Sequence, residues 1–147
     1  MRALILLLSF FAAACARPDY IDPISRNGSQ SQATDCPLKF TQSSLCASLD
    51  WVQGPQSPNE SEFILKFWNK SSGTKAGPFV DPPQTLSVIL WMPSMGHGSS
   101  PVTIEKIEDG TYRVRRVYFI MPGDWEIRTF LKDGATVIDQ ATVSLVL

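Results

Sequence analysis

Three of the four methionines and the single histidine of this 147-residue chain fall in two short segments. The first runs Trp91-Met92-Pro93-Ser94-Met95-Gly96-His97-Gly98 and the second Met121-Pro122-Gly123-Asp124-Trp125; the remaining methionine is Met1. Thioethers are soft, uncharged ligands that select Cu(I), and imidazole suits copper as well. A Met-x-x-Met-x-His spacing at a strand end broken by Gly and Pro lets the chain turn several donors toward one point. The candidate metal ligands are therefore Met92, Met95, His97 and Met121. Thioethers do not compete with protons, so such a site would keep affinity at a pH where thiolate sites lose it. A packing role is the alternative for Met92 and Met121, whose parity matches inward-facing apolar neighbours. It suits Met95, set between Ser94 and Gly96, and His97, set between two glycines, much less well. Trp91 and Trp125 read as packing residues that could also shield a soft metal from water.

Catalysis finds little support. One histidine cannot by itself supply the ligand count of a metal hydrolase. The chain has no G-x-S-x-G, H-E-x-x-H or phosphate-cradling glycine loop. Asp50, Glu60, Glu62 and Glu105 are scattered, with no basis for pairing any two. The expectation is a protein that is not an enzyme.

The cysteines carry other chemistry. Met1-Arg2, the apolar run Ala3–Phe11 and the small residues Ala12-Ala13-Ala14 have the organisation of a secretory signal, expected at 1–14. The apolar stretch is about half the roughly 20 residues a spanning helix requires. With Cys15 directly after, the segment resembles a bacterial lipobox, although Ala12 stands where Leu is usual. The resemblance implies lipidation of Cys15 and a membrane anchor, each buried methylene adding roughly 0.8 kcal/mol. An ordinary cleavage near Ala14 or Ala16, leaving Cys15 unmodified, is the alternative. Ala16 stands where some bacteria place Asp for inner-membrane retention, which favours the outer membrane for this periplasm-facing, envelope-anchored protein. Cys36 and Cys46 remain. In an oxidising compartment they are expected to form a disulfide; a reduced pair binding metal or exchanging electrons is the other reading, without a C-x-x-C to support it.

Positioning these groups falls to the rest of the chain. Without Arg2 the charges are 12 basic against 14 acidic, a net of −2. No basic run is present, and Arg113, Arg115 and Arg116 read as solvated strand positions, so nucleic acid is not an expected partner. Residues 15–35 are polar, with Pro18, Pro23 and Gly28, and read as the lipidated cysteine and a flexible tether. The sequons at Asn27, Asn59 and Asn69 are incidental if the lipobox reading holds. From 36 to 147 the pattern is period-two alternation rich in Val, Ile and aromatics, broken by Gly, Pro, Asn and Asp. Strands are predicted at 46–53, 61–69, 85–92, 101–107, 111–120, 124–132 and 136–146, with hairpin signals at Asp109-Gly110 and Asp133-Gly134. A parity change within 111–120 predicts a bulge near Arg115-Arg116, and 70–84 reads as a long inter-sheet loop. Seven or eight such strands predict an all-β, immunoglobulin-like antiparallel β-sandwich. If 85–92, 101–107 and 111–120 each cross the sandwich once, Met92, Met95, His97 and Met121 reach the same end.

The ordered motifs WMPSMGHG, DGTYRV and FIMPGDWEI, between about Leu86 and Leu131, resemble the YtkA-like domain family, which is related to FixH-type proteins. The resemblance covers roughly a third of the chain. It implies a small extracytoplasmic β-sandwich in a copper context, as a lipoprotein beside membrane-bound copper-handling, metal-efflux or oxidase-assembly proteins. It carries possible ligand roles onto Met92, Met95 and His97 through M-x-x-M-G-H-G, and onto Met121 through M-P-G-x-W. A non-metal structural or protein-interaction module of the cell envelope is the alternative function.

Overall fold

The computed structural model describes residues 36–147. The signal segment at 1–14, Cys15 and the tether at 15–35 lie outside the described residues. Nine strands follow one another: β1 (Leu38–Phe40), β2 (Leu45–Gln53), β3 (Ser61–Asn69), β4 (Thr85–Met92), β5 (His97–Gly98), β6 (Thr103–Glu108), β7 (Thr111–Val117), β8 (Asp124–Asp133) and β9 (Thr136–Val146). No helix occurs among the described residues, so none is long and apolar enough to cross a membrane.

The strands form two antiparallel sheets, ordered β1-β2-β3-β7-β6 and β5-β4-β8-β9. Leaving β1 aside, β2-β3-β7-β6 facing β5-β4-β8-β9 is the arrangement of immunoglobulin strands A-B-E-D and C′-C-F-G. The alternation explains why both sheets bury one face. Phe63, Leu65 and Phe67 of β3 point inward, as do Val88, Leu90 and Met92 of β4 and Trp125, Ile127 and Leu131 of β8. Each such side chain contributes about 1.5–3 kcal/mol on leaving water. Aromatic rings pack within and between the layers: Trp51 meets Phe63 of the same sheet edge-on at 5.3 Å between centroids, and Phe119 meets Trp125 of the second sheet at 5.5 Å.

The count exceeds the expected seven or eight because β1 and β5 are three and two residues long. Neither is long enough to show a period. The bulge occurs where the parity changed. Ser61 pairs with Val117 but Phe63 with Val114, so β7 carries one extra residue, and Arg116 adopts φ 58°. Glu60 accepts from the Arg116 amide at 2.8 Å and from the Tyr118 hydroxyl at 3.1 Å, fastening the bulge. Arg113 and Arg115 stand beside Glu62 and Glu105 at 3.1 and 3.5 Å, which is the solvated strand role their interrupted spacing implied.

The loop from 70 to 84 crosses between the sheets and is tied down rather than loose. Val80 donates to the Phe67 carbonyl at 2.9 Å. Asp81 accepts from the Gly110 amide at 2.9 Å, the Tyr112 hydroxyl at 2.8 Å and the Lys106 ammonium. Those three donors, the lysine foremost, favour the ionised carboxylate and lower its pKa to about 2. Burial and the Asp81 bond push the Tyr112 phenol up to about 12. A depressed carboxylate stabilises the fold above its unfolded pKa, near 4, and loses that contribution as pH falls from about 4 toward 2. Asp81→Asn should therefore flatten the acid limb of stability between about pH 4 and 2, read by urea unfolding at several pH values. An acid limb unchanged by the substitution would remove Asp81 as its cause.

Cys36 is disulfide-bonded to Cys46, with Cα atoms 5.0 Å apart. Cys46 is buried on β2, opposite Lys39 of β1, so the bond fastens the entry of the domain beneath its first strand. The pair so joined offers no free thiol to a metal.

Candidate metal centre

Hairpin geometry decides what the donors can do. β4 ends at Met92 and β5 begins at His97, and these two residues are direct partners across the ladder. Directly opposed residues of an antiparallel pair point to the same face, with Cβ atoms about 4.5–5.5 Å apart. Met92 points into the core at 3 % exposure, so His97 stands on that same inner side at the sheet's end, half-buried. Pro93, Ser94, Met95 and Gly96 form the connecting loop, closed by the Met95 and Gly96 amides donating to the Met92 carbonyl at 3.2 and 3.0 Å. Gly96 takes φ 66°, which a side chain would resist. Gly98 is required for space: a Cβ there would lie 2.8 Å from the Leu90 carbonyl oxygen.

The second segment arrives from the far side of the sandwich. After β7 the chain passes through Phe119, buried against Trp51 and Trp125, and reaches Met121, half-buried against the core. The Trp125 indole donates to the Met121 carbonyl at 2.9 Å, fixing the turn Met121-Pro122-Gly123. Gly123 exchanges hydrogen bonds with Leu147 at 2.8 and 3.1 Å. A Cβ on Gly123 would lie 2.6 Å from the Met92 methyl carbon, so the thioether of Met92 rests on this glycine. The structure thus brings Met92, His97 and the turn after Met121 to one end of the domain. Met95 is set apart, its side chain 57 % exposed at the loop tip.

Among the described residues no three His, Cys, Asp or Glu gather as they would to hold a metal ion. The soft donors at this end are the Met92 and Met121 thioethers and the His97 imidazole, with the exposed Asp124 carboxylate directly after the turn. His97 Nδ1 lies 3.2 Å from the Gly98 carbonyl, an oxygen that can only accept. A proton on Nδ1 would let it donate to that oxygen and would make Nε2 the ring's ligand atom. On the opposite face of the sheet the Arg128 guanidinium sits 5.0 Å over the Trp91 ring and pairs with Glu126 at 2.6 Å. Trp91 faces away from the methionines and so does not screen them.

Two contributors escaped the sequence reading. The His97-Gly98 strand was invisible by period, although four residues ending in glycine between Met92 and His97 are a recognised hairpin length. Gly123 drew attention only as part of M-P-G-x-W; its role as the seat of Met92 follows from a contact between segments 31 residues apart.

An immunoglobulin-like sandwich that presents a Met/His hairpin against a Met-Pro-Gly turn at one end is the class of protein these observations define. The YtkA-like family matches residues 53–130, more than half of the chain, and the chain belongs to that family. The match spans both methionine segments and excludes the disulfide. No curated protein and no solved structure matches the chain.

Proposed function

We propose that this chain is a membrane-tethered, extracytoplasmic domain that binds or delivers Cu(I), with no catalytic role of its own. The observation that carries the reading is the pairing of Met92 with His97 across the β4–β5 hairpin, with the turn after Met121 seated against the Met92 thioether. This donor set fits a soft monovalent ion and lacks the clustered carboxylate, thiolate or multiple-imidazole ligands that harder or divalent metals prefer. Met92, His97 through Nε2, and Met121 would hold the ion, and Met95 at the loop tip would complete the set or meet a partner. Copper would supply a transferable charge, and the protein's part is to keep thioethers out of water and facing one point. Lipidation of Cys15, as the lipobox resemblance implies, would anchor the domain in the cell envelope facing the periplasm, with the outer membrane favoured. A membrane-bound copper-handling, efflux or oxidase-assembly protein is the partner such a tether suits.

Titration of the chain with Cu(I) against a competing chelator tests the assignment. Met92→Leu and Met121→Leu preserve most of the apolar volume and remove sulfur, at a cost to folding below about 1.5 kcal/mol. His97→Ala and Met95→Ala remove the other donors. Stoichiometric binding that falls about tenfold or more in His97→Ala, and again in Met92→Leu, is expected, since tenfold corresponds to about 1.4 kcal/mol. Unchanged binding in the Met95→Ala/His97→Ala double variant would sink it. Full burial of Met92 in the core favours the second reading, an envelope interaction module in which the hairpin serves only the fold; absence of any stoichiometric Cu(I) uptake selects that one.

A further inference from the structure

The edges of the two sheets are not equally protected. β6 carries Glu105, Lys106 and Glu108, and β1 is only three residues long with Lys39 at its centre. Charges and short strands of this kind discourage added pairing. β4 differs: Thr-Leu-Ser-Val-Ile-Leu-Trp-Met contains no charge and no proline. β5 covers only Trp91 and Met92 of it, and among the described residues no strand pairs with the stretch Thr85–Leu90 on that side.

Backbone direction at this edge can be worked out. Ser99 donates to the Leu90 carbonyl at 3.1 Å from the β5 side, so Leu90 presents its backbone polar groups away from β8. Groups alternate along a strand, so Val88 and Leu86 present theirs to the same open side. No described backbone or side-chain donor or acceptor meets them. Val88 is nevertheless only 5 % exposed, and an unpaired backbone group at such a site is costly. Beside this edge lies a groove of about 330 Å³, between β4 and the connection from β5 to β6, lined by Leu86, Val88, Leu90, Ser100, Val102 and Ile104. It carries no charged side chain.

We propose that the Thr85–Leu90 edge of β4 accepts an extended segment of a partner protein as an added strand. Its backbone would bond to the amides and carbonyls of Leu86 and Val88, and its alternate, uncharged apolar side chains would enter the groove. Side chains of residues opposed across an antiparallel ladder share a face, so the partner's apolar residues are also the ones whose amides face β4. The open stretch ends where Ser99 engages Leu90, leaving room for a single short segment. A second copy offering the same edge would bring its own connection, with Pro101, into that gap. Strand addition of this kind draws affinity from main-chain bonds and specificity from alternate side chains. This site is separate from the methionine hairpin, and its test does not depend on copper.

The probe is a blocked Lys-Thr-Val-Thr-Val-Thr-Lys peptide, compared with the same peptide N-methylated at both valines. Amide exchange at Leu86 and Val88 is followed in the full chain by NMR. Without peptide the amide of half-buried Leu86 should exchange freely; with saturating peptide it, and Val88 from its own baseline, should slow about tenfold or more. The N-methylated peptide, lacking the bonding donors, should have no effect. No slowing at millimolar peptide, or equal slowing by the N-methylated analogue, overturns the proposal. So does protection of Leu86 before any peptide is added: dependence on protein concentration would assign the edge to a second copy, and independence to residues of this chain outside 36–147.

Discussion

Trp125→Ala is expected to lower the unfolding free energy by about 3–5 kcal/mol, the range for truncating a buried aromatic side chain. Against the 5–15 kcal/mol of an ordinary domain, that brings the protein close to unfolding. Trp125 is 1 % exposed, lies edge-on to Phe119 at 5.5 Å, and donates through its indole to the Met121 carbonyl. Alanine would leave a cavity between the sheets and an unpaired carbonyl in the turn that seats Met92. Trp125→Phe shifts the balance between the two contributions, because it keeps a ring against Phe119 and loses the indole donor with the volume of the second ring. Its loss should be smaller, about 1–3 kcal/mol, the cost of an unsatisfied buried acceptor. Urea unfolding measures both. Equal losses in the two variants would mean that the indole bond and second ring, not the ring kept against Phe119, hold this end together.

The second large effect is expected at Gly110. It has φ 63°, and a Cβ there would lie 2.4 Å from the Val80 amide nitrogen and 2.7 Å from its carbonyl oxygen. Its own carbonyl accepts from Phe67 and its amide donates to Asp81, so the β6–β7 turn is locked onto β3 and the inter-sheet loop together. Gly110→Ala carries a left-handed backbone term of about 1–2 kcal/mol. Overpacking against backbone that cannot rotate away adds about 1–3 kcal/mol. A total near 2–5 kcal/mol is the expected outcome in urea unfolding. Gly134 is the natural control: φ 56° with nothing within 4 Å of the would-be Cβ. Gly134→Ala should show the conformational term alone. Similar losses at the two glycines would mean that crowding at Val80 contributes nothing.

What the sequence made legible follows from where the signal lies. Alternation over eight to eleven residues places β3, β4 and β9 at their observed bounds, because one face of each is buried against the other sheet. The parity change at Arg115-Arg116 located the bulge, since an extra residue leaves a mark in period two. Asp133-Gly134 gave the last hairpin one residue early: Asp133 pairs with Thr136, and Gly134 and Ala135 make the turn. β1 and β5 were out of reach for want of length. At the candidate site, counting strand crossings placed the end of β4 near the turn after Met121, as the contact between Met92 and Gly123 has it. Exposure was another matter. Met95 and Met92 are three residues apart with the same side chain, yet one is 57 % exposed and the other 3 %, because one sits in a turn and the other in a ladder. The role of Asp81 was illegible too, for its three donors come from 25 to 31 positions away.

The bond between Cys36 and Cys46 has a mechanical side. A three-residue strand such as β1, pulled from its free end, peels from its neighbour one hydrogen bond at a time, and each rupture needs little force. Tension arriving from upstream of Cys36 does not reach β1 in that way. It crosses the sulfur bridge into β2, which is paired with β3 from Leu45 to Gln53. Many bonds then share the load. For a chain held at Cys15, as proposed, the bridge is where a moving membrane would tug on the domain, and it delivers that tug to the strongest seam on this side of the sandwich.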